Sequence, residues 1–272
     1  MGEYVDILGH PTWIHRGAGP GETVLLLHGG LSSSDEILEP LEGPLAEHFA
    51  VAAFDRRGHG RTGDTDAPFH YAAMAEEVIA VVEHLGGTPV HLVGWSDGGI
   101  AALLTALERP DLVARQVLIG ANFHHDGVEL GDLDDDDAPL SGYMAQTYAE
   151  RSPDGIEHFP VVHAKFMTMA RTEPTLNVGD VRAVATPTLV LAGDDDMVRL
   201  DHTAALFEAL PAGQLAVVPG ASHAVPLEKP DLVARLITDF LLGPVPPETA
   251  LPVRRATATR HEDSVALAGS GD

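Results

Sequence analysis

A serine hydroxyl attacks a carbonyl carbon only when a base takes its proton and nearby donors receive the charge that develops on the carbonyl oxygen. One serine of this chain stands where both needs could be met. The stretch Val90-His-Leu-Val-Gly94-Trp95-Ser96-Asp97-Gly98-Gly99 reads as an apolar strand, a sharp turn and a helix start, and it contains Gly-x-Ser-x-Gly. A serine on such a turn projects its hydroxyl clear of the backbone. Gly94 and Gly98 remove side chains that would collide across the bend, and the N-terminus of the following helix favours negative charge beside the hydroxyl. Nine serines and 28 glycines in 272 residues give roughly 0.1 such matches by chance. The setting between strand and helix, more than the pattern itself, therefore singles out Ser96.

A base and an acid to orient it follow in the chain. Ala192-Gly193-Asp194-Asp195-Asp196 closes one apolar run, and Pro219-Gly-Ala-Ser-His223 closes the next. Loops at the carboxyl ends of parallel strands share one edge of a sheet. His223 could thus take the Ser96 proton and return it to a leaving group. Three consecutive aspartates are candidates for holding its ring, and spacing does not choose among them. His124 and His125, just after a strand, are expected at the pocket. No third ligand at a recognisable metal spacing follows them, so no metal site is expected.

The positioning elements are read from short apolar runs separated by helix-length patterns. Strands are expected at Thr23 to Leu27, Val51 to Phe54, Val90 to Trp95, Gln116 to Ile119, Thr188 to Ala192 and Leu215 to Val218. A hairpin of Glu3 to Leu8 with Thr12 to His15 is expected before them. Runs apolar on both faces imply parallel strands covered by helices. The helices are expected at Asp35 to His48, Tyr71 to Leu85, Gly98 to Leu107, Asp201 to Leu210 and Pro230 to Leu242. The alternation predicts a mostly parallel, doubly wound α/β sheet. It breaks after the strand ending near Gly120. The stretch 122–185 is too long for a plain connection and carries helical patterns at Tyr143 to Arg151 and Phe159 to Arg171, so a helical cap is expected there. The expected division is a core of 1–121 with 186–243, the cap, and a flexible tail over 244–272, where proline and small polar residues replace apolar periodicity.

Composition removes several function classes. Sixteen basic against 41 acidic residues give a net charge of −25, which disfavours phosphate neutralisation on nucleic acid and docking on anionic membranes. The absence of cysteine excludes disulfides, thiolate zinc sites and a cysteine nucleophile. The N-terminal residues lack the pattern of a secretory signal, and no run is long enough to span a membrane. A cytoplasmic protein acting on a small molecule, without nucleic-acid or membrane partners, is expected; monomer and homodimer remain open. The acidic loop Gly131 to Ala138 lacks the glycine and terminal glutamate of a calcium-binding loop and reads as solvated.

Taken together, His28-Gly29-Gly30, Asp55-Arg-Arg-Gly58-His-Gly60-Arg-Thr62, Gly94-Trp-Ser-Asp-Gly98-Gly99, Gly193-Asp-Asp-Asp196 and Gly220-Ala-Ser-His223 resemble the α/β-hydrolase superfamily over about Thr23 to Leu242. The resemblance implies the α/β-hydrolase fold and a triad of Ser96, Asp196 and His223, the acid being the third residue after the glycine that closes its strand. It implies oxyanion donors on the backbone N–H groups of Asp97 and Gly30, and no cofactor. His28 is expected to tie loops together through its ring. Gly29, Leu31, Trp95, Asp97 and, from the cap, His124, Tyr143 and Phe166 are the expected substrate contacts. Met144, Tyr148, Phe159, Met167 and Met169 are divided between pocket and packing. The expected reaction is hydrolysis of a carboxylic ester, thioester or lactone through an acyl-enzyme. C–C bond hydrolysis or perhydrolysis by the same triad, and a non-catalytic receptor, are the alternatives. Asp97 either turns away to bond neighbouring loop groups or meets a cationic group of the substrate. The elbow, with Ile119-Gly-Ala-Asn122, is similar to the biphenyl-hydrolase-like group, which implies an amino-acid ester.

Overall fold

The computed structural model describes residues 2–134 and 139–253. A hairpin of β1 (Gly2–Ile7) and β2 (His10–Arg16) leads into β3 (Thr23–Leu27), α1 (Ser34–Ala46), β4 (Ala50–Phe54), α2 (Tyr71–His84), β5 (Val90–Trp95), α3 (Asp97–Glu108) and β6 (Val113–Ile119). Helices α4 (Pro139–Arg151), α5 (Phe159–Ala170) and α6 (Val178–Arg182) follow. The chain then returns through β7 (Thr188–Asp195), α7 (Leu200–Ala209), β8 (Gly213–Ser222), α8 (Val225–Glu228) and α9 (Pro230–Leu242). The eight strands run in the order β1-β2-β4-β3-β5-β6-β7-β8. The β1–β2 and β2–β4 pairs are antiparallel and all others parallel.

The burial pattern explains the layers. All six residues of β5 are buried, because helices cover both sheet faces. On one face Met74, Val78, Val81 and Val82 of α2 and Ile100 and Leu103 of α3 pack with Leu25, Leu27 and Leu92. On the other, Ile37, Leu41 and Leu45 of α1 and Val233, Ile237 and Phe240 of α9 pack with Leu26, Val93 and Ile119. In α9 the buried set Val233, Ala234, Ile237, Phe240, Leu241 falls on one helical stripe.

Most expected elements appear within two residues of their predicted limits. β6 starts three residues earlier, β7 ends three residues later and α4 starts four residues earlier than expected, and two larger departures have physical reasons. β8 runs over ten residues rather than four, since it is the edge strand and alternates. Its Leu215 and Val217 face outward while its partner β7 holds it from Thr188 to Asp195. Helix α6 is too short for an apolar period to mark it. It is started by Asn177, whose side chain accepts from the N–H groups of Gly179 and Asp180 while Asp180 accepts from the Asn177 N–H. Of the acidic loop, 135–138 lie outside the described residues, as do 254–272 of the expected tail. No helix among the described residues is long and apolar enough to cross a membrane.

The chain steps outward from β3 to β4 and then back to β5 on the other side of β3. The loops leaving β3 and β5 therefore diverge, and a crevice opens at the carboxyl ends of these two strands.

Candidate active site

Ser96 occupies that crevice. Its backbone is left-handed, at φ 54° and ψ −120°, a conformation that costs a non-glycine residue on the order of 1–3 kcal/mol. The bend is possible because a Cβ on Gly94 would overlap the Gly98 carbonyl and one on Gly98 would overlap the Leu27 carbonyl. The strain is held by Ser96 N–H donating to Ile119 O at 2.8 Å and by Gly99 N–H and Ile100 N–H donating to Ser96 O at 2.8 and 3.1 Å. The residue lines a cavity of about 500 Å³. Among the described residues its hydroxyl has no hydrogen-bond partner, a common state of nucleophiles before substrate arrives.

His223 lines the same cavity. Its Nδ1 lies 2.7 Å from Asp196 Oδ1, and the Asp196 side chain has no exposure. Val198 N–H donates to the same oxygen at 2.9 Å. The three aspartates divide the work that spacing leaves open. Asp194 Oδ1 accepts from Gly220 N–H and Ala221 N–H at 2.7 and 3.2 Å, holding the His223 loop to the end of β7. Asp195 lines the cavity, and Asp196 meets the ring. Trp95, expected at the substrate, lines the cavity and also donates from Nε1 to His223 O at 2.8 Å. Its ring centroid lies 6.2 Å from that of His223.

Gly29, Gly30, Leu31, Asp97, Tyr143 and Phe166 all line the cavity, and neither His124 nor His125 does. The chain turns away after Asn122 into a short turn over His125–Gly127, which His124 caps by accepting the Asp126 N–H. His124 stacks instead on His125, with centroids 4.4 Å apart. His124, His125 and Asp126 bring potential ligand atoms within 4.8 Å of one another. The His124 Nδ1 is already engaged by the backbone there. Neither Gly30 N–H nor Asp97 N–H has an acceptor among the described residues, and both residues line the cavity.

Asp97 is buried and divided between two roles. Its Oδ1 accepts from the Tyr71 hydroxyl at 2.7 Å, while Oδ2 is buried without a partner. Burial pushes its carboxyl upward, and Arg56, the Tyr71 bond and His223 oppose that shift. Tyr71 is pushed well above its ordinary value by burial and by the Asp97 charge, so it stays a donor. Tyr71 N–H donates in turn to Glu173 Oε2 at 3.1 Å. The lining includes Glu36, Asp97, Glu129, Glu173 and Asp195 but no Lys or Arg among the described residues. Tyr71, Glu173 and Glu36 carry no local motif, so sequence reasoning misses them. Apolar walls come from Leu31, Leu130, Met144, Phe166 and Leu227. A hydroxyl on a strained bend, an imidazole with its outer nitrogen anchored to a buried carboxylate, and two unengaged N–H groups can carry acyl transfer.

Comparison with known proteins places the chain among hydrolases. Residues 24–236 match the model of the alpha/beta hydrolase family. A protein assigned as carbamate hydrolase RutD from Agrobacterium fabrum is 30% identical over 256 residues, covering 84% of this chain and 97% of its own. Serine hydrolase BPHL of Mus musculus is 29% identical over 248 residues, covering 84% and 82% respectively. The crystal structure of E-2-(acetamidomethylene)succinate hydrolase superposes with a TM-score of 0.71 at 25% identity, covering 89% of this chain and 98% of that one. The chain is a hydrolase and belongs to the alpha/beta hydrolase family.

Proposed function

We propose that this hydrolase cleaves a carboxylic ester, thioester or lactone through an acyl-enzyme on Ser96. His223 takes the hydroxyl proton as Oγ bonds to the carbonyl carbon, then gives it to the departing alcohol, thiol or ring oxygen. Water, deprotonated by the same ring, then releases the acid and restores Ser96. Asp196 fixes the ring with Nδ1–H toward itself, leaving Nε2 as the base. Gly30 N–H and Asp97 N–H receive the oxyanion. The observation that carries this reading is the 2.7 Å His223–Asp196 contact on the rim of the cavity that Ser96 enters from its strained bend.

The substrate class we assign is an ester bearing a cationic group, such as an α-amino ester. The unpartnered Asp97 Oδ2 and a lining with carboxylates but no Lys or Arg support it. An ammonium group is a matching partner for a buried, unsatisfied carboxylate oxygen. Turnover of p-nitrophenyl acetate, lost in Ser96→Ala, tests the reaction class; wild type that turns over no ester would overturn it. For the substrate class, kcat/KM is compared for an α-amino ester and its des-amino analogue. The preference for the amino ester should shrink at least tenfold in Asp97→Asn. An unchanged preference would remove the ammonium assignment.

A further inference from the structure

Arg56 is a fully buried arginine, 1% exposed, bonded to the loop that carries Gly29 and Gly30. Its Nη1 donates to His28 O at 2.6 Å and its Nη2 to Gly29 O at 2.8 Å. Its backbone N–H donates to His28 Nε2 at 3.1 Å. With Nε2 accepting, the neutral His28 ring carries its proton on Nδ1, 2.7 Å from the same Gly29 O. The Gly29 carbonyl is therefore held by two donors. The Gly29–Gly30 peptide is trans, so its N–H points opposite to its C=O. With the carbonyl engaged by the guanidinium, the Gly30 N–H points away from Arg56, and Gly30 lines the cavity.

We propose that Arg56 is a positioning residue for oxyanion stabilisation: it fixes the direction of the Gly30 N–H, strengthens it as a donor, and offsets the neighbouring Asp97 carboxylate. The inference rests on the reading of Gly30 as an oxyanion donor. Strengthening follows because a cation on a peptide oxygen polarises the peptide and makes its N–H a better donor. The offset answers an electrostatic difficulty. A Cβ placed on Gly30 would lie 2.6 Å from Asp97 Oδ2, so a carboxylate sits beside the donor meant to receive negative charge. Arg56 is the arginine whose charge acts on Asp97. Lysine would supply the charge but not the planar fork that takes two successive carbonyls.

Three quantities test this: kcat/KM for p-nitrophenyl acetate, Ki for an aryl-alkyl trifluoromethyl ketone, and Ki for the matching methyl ketone. The fluorinated ketone forms a tetrahedral oxyanion on a serine, and the methyl ketone does not. Losing an oxyanion donor outright costs about 10²–10³ in rate, so misdirecting one should cost less. Arg56→Met should lower kcat/KM about 10- to 100-fold and weaken the fluorinated ketone by the same factor. The methyl ketone should stay within about threefold, and Arg56→Lys should fall between wild type and Met. Rates within threefold of wild type, or equal losses for both ketones, would overturn the proposal. Should Arg56→Met not fold, Arg56→Lys decides by the same split. An active wild type with indifferent Arg56 variants overturns this inference alone, whereas a wild type that turns over no ester overturns the proposed function and the inference with it.

Discussion

The floor of the cavity is built from the carboxyl ends of β3, β5, β6, β7 and β8, and its polar bonds run mostly to main-chain atoms. Arg56 holds two carbonyls, Asp194 two N–H groups and Trp95 the His223 carbonyl. Asp55 accepts from Ser34 N–H and Arg61 N–H at 2.7 Å each. The roof is built from α4 and α5 and is strapped down by side-chain pairs. Asp64 Oδ2, on the loop after β4, receives Lys165 Nζ at 2.7 Å and His158 Nε2 at 2.9 Å. Asp35 of α1 receives Arg151 from α4 at 2.7 Å together with Arg61. Backbone-anchored parts have few alternative arrangements, whereas side-chain straps can be exchanged while the fold persists. From that difference we expect reaction geometry, and the cation recognition proposed for Asp97, to depend on the floor, and the fit of the rest of the acyl chain to depend on the roof.

The largest effects should come from the floor. His223→Ala and Ser96→Ala should each lower kcat by at least about 10³-fold with little change in Tm, and the double variant should lose little more, because the groups act as a unit. A double variant with multiplied losses would show that the two side chains act independently. Asp196→Asn should lower kcat roughly 10²–10⁴-fold through the wrong ring tautomer.

Acid should separate the two regions next. Burial, then Arg56, holds His28 well below its ordinary value, and the same two causes in that order bring His59 to about 3. Both folded-state values lie below the unfolded one, so the unfolded chain binds the extra protons. The stability these rings contribute is complete above about pH 6.5 and declines as pH falls toward their folded values, by on the order of a few kcal/mol. In the roof, burial raises Asp64, but Lys165 and His158 outweigh it and leave its carboxyl lowered; Arg61 and Arg151 do the same for Asp35. Those straps keep their contribution down to about pH 4 and lose it below. Thermal melts should therefore show Tm falling between pH 6.5 and 4.5 in wild type and in Asp64→Asn by similar amounts. A much smaller fall in Asp64→Asn would place the acid-sensitive groups in the roof instead.

Cutting a strap should sharpen the contrast. The Asp64 side chain is 3% exposed while His158 is 33% exposed, so its pairs are partly screened. Asp64→Asn should cost about 1–3 kcal/mol of stability yet change p-nitrophenyl acetate kcat less than threefold. A kcat loss above tenfold would break the division. Smaller still, Phe166→Ala should raise KM several-fold for long-chain esters and leave acetate within twofold.

What is legible in the sequence follows the same division between floor and roof. The elbow is readable at Ser96 because its requirement is a main-chain one, written in two glycines at fixed spacing. The strands are readable because burial on both faces leaves continuous apolar runs. Spacing alone cannot choose among Asp194, Asp195 and Asp196, since each finds its own surroundings only when the His223 loop is folded beside them. Tyr71 and Glu173 reach the cavity from separate elements 102 residues apart, joined by one hydrogen bond, and no local pattern marks such a pair. His124 is expected at the pocket from its closeness to β6, but closeness in sequence does not carry direction once the chain turns at Asn122. Arg56 is visible in a motif, yet its grip on two carbonyls exists only where the loops after β3 and β4 meet.

The proposed mechanism turns on Ser96 being activated by the ring of His223. Fluorophosphonate labelling followed by peptide mass mapping, in wild type and His223→Ala, tests it most directly. The prediction is a single adduct on Ser96 in wild type and a labelling rate lowered by at least about 10²-fold in the variant, in line with the loss of a general base. An adduct on another residue, or equal labelling rates in the two proteins, would contradict it.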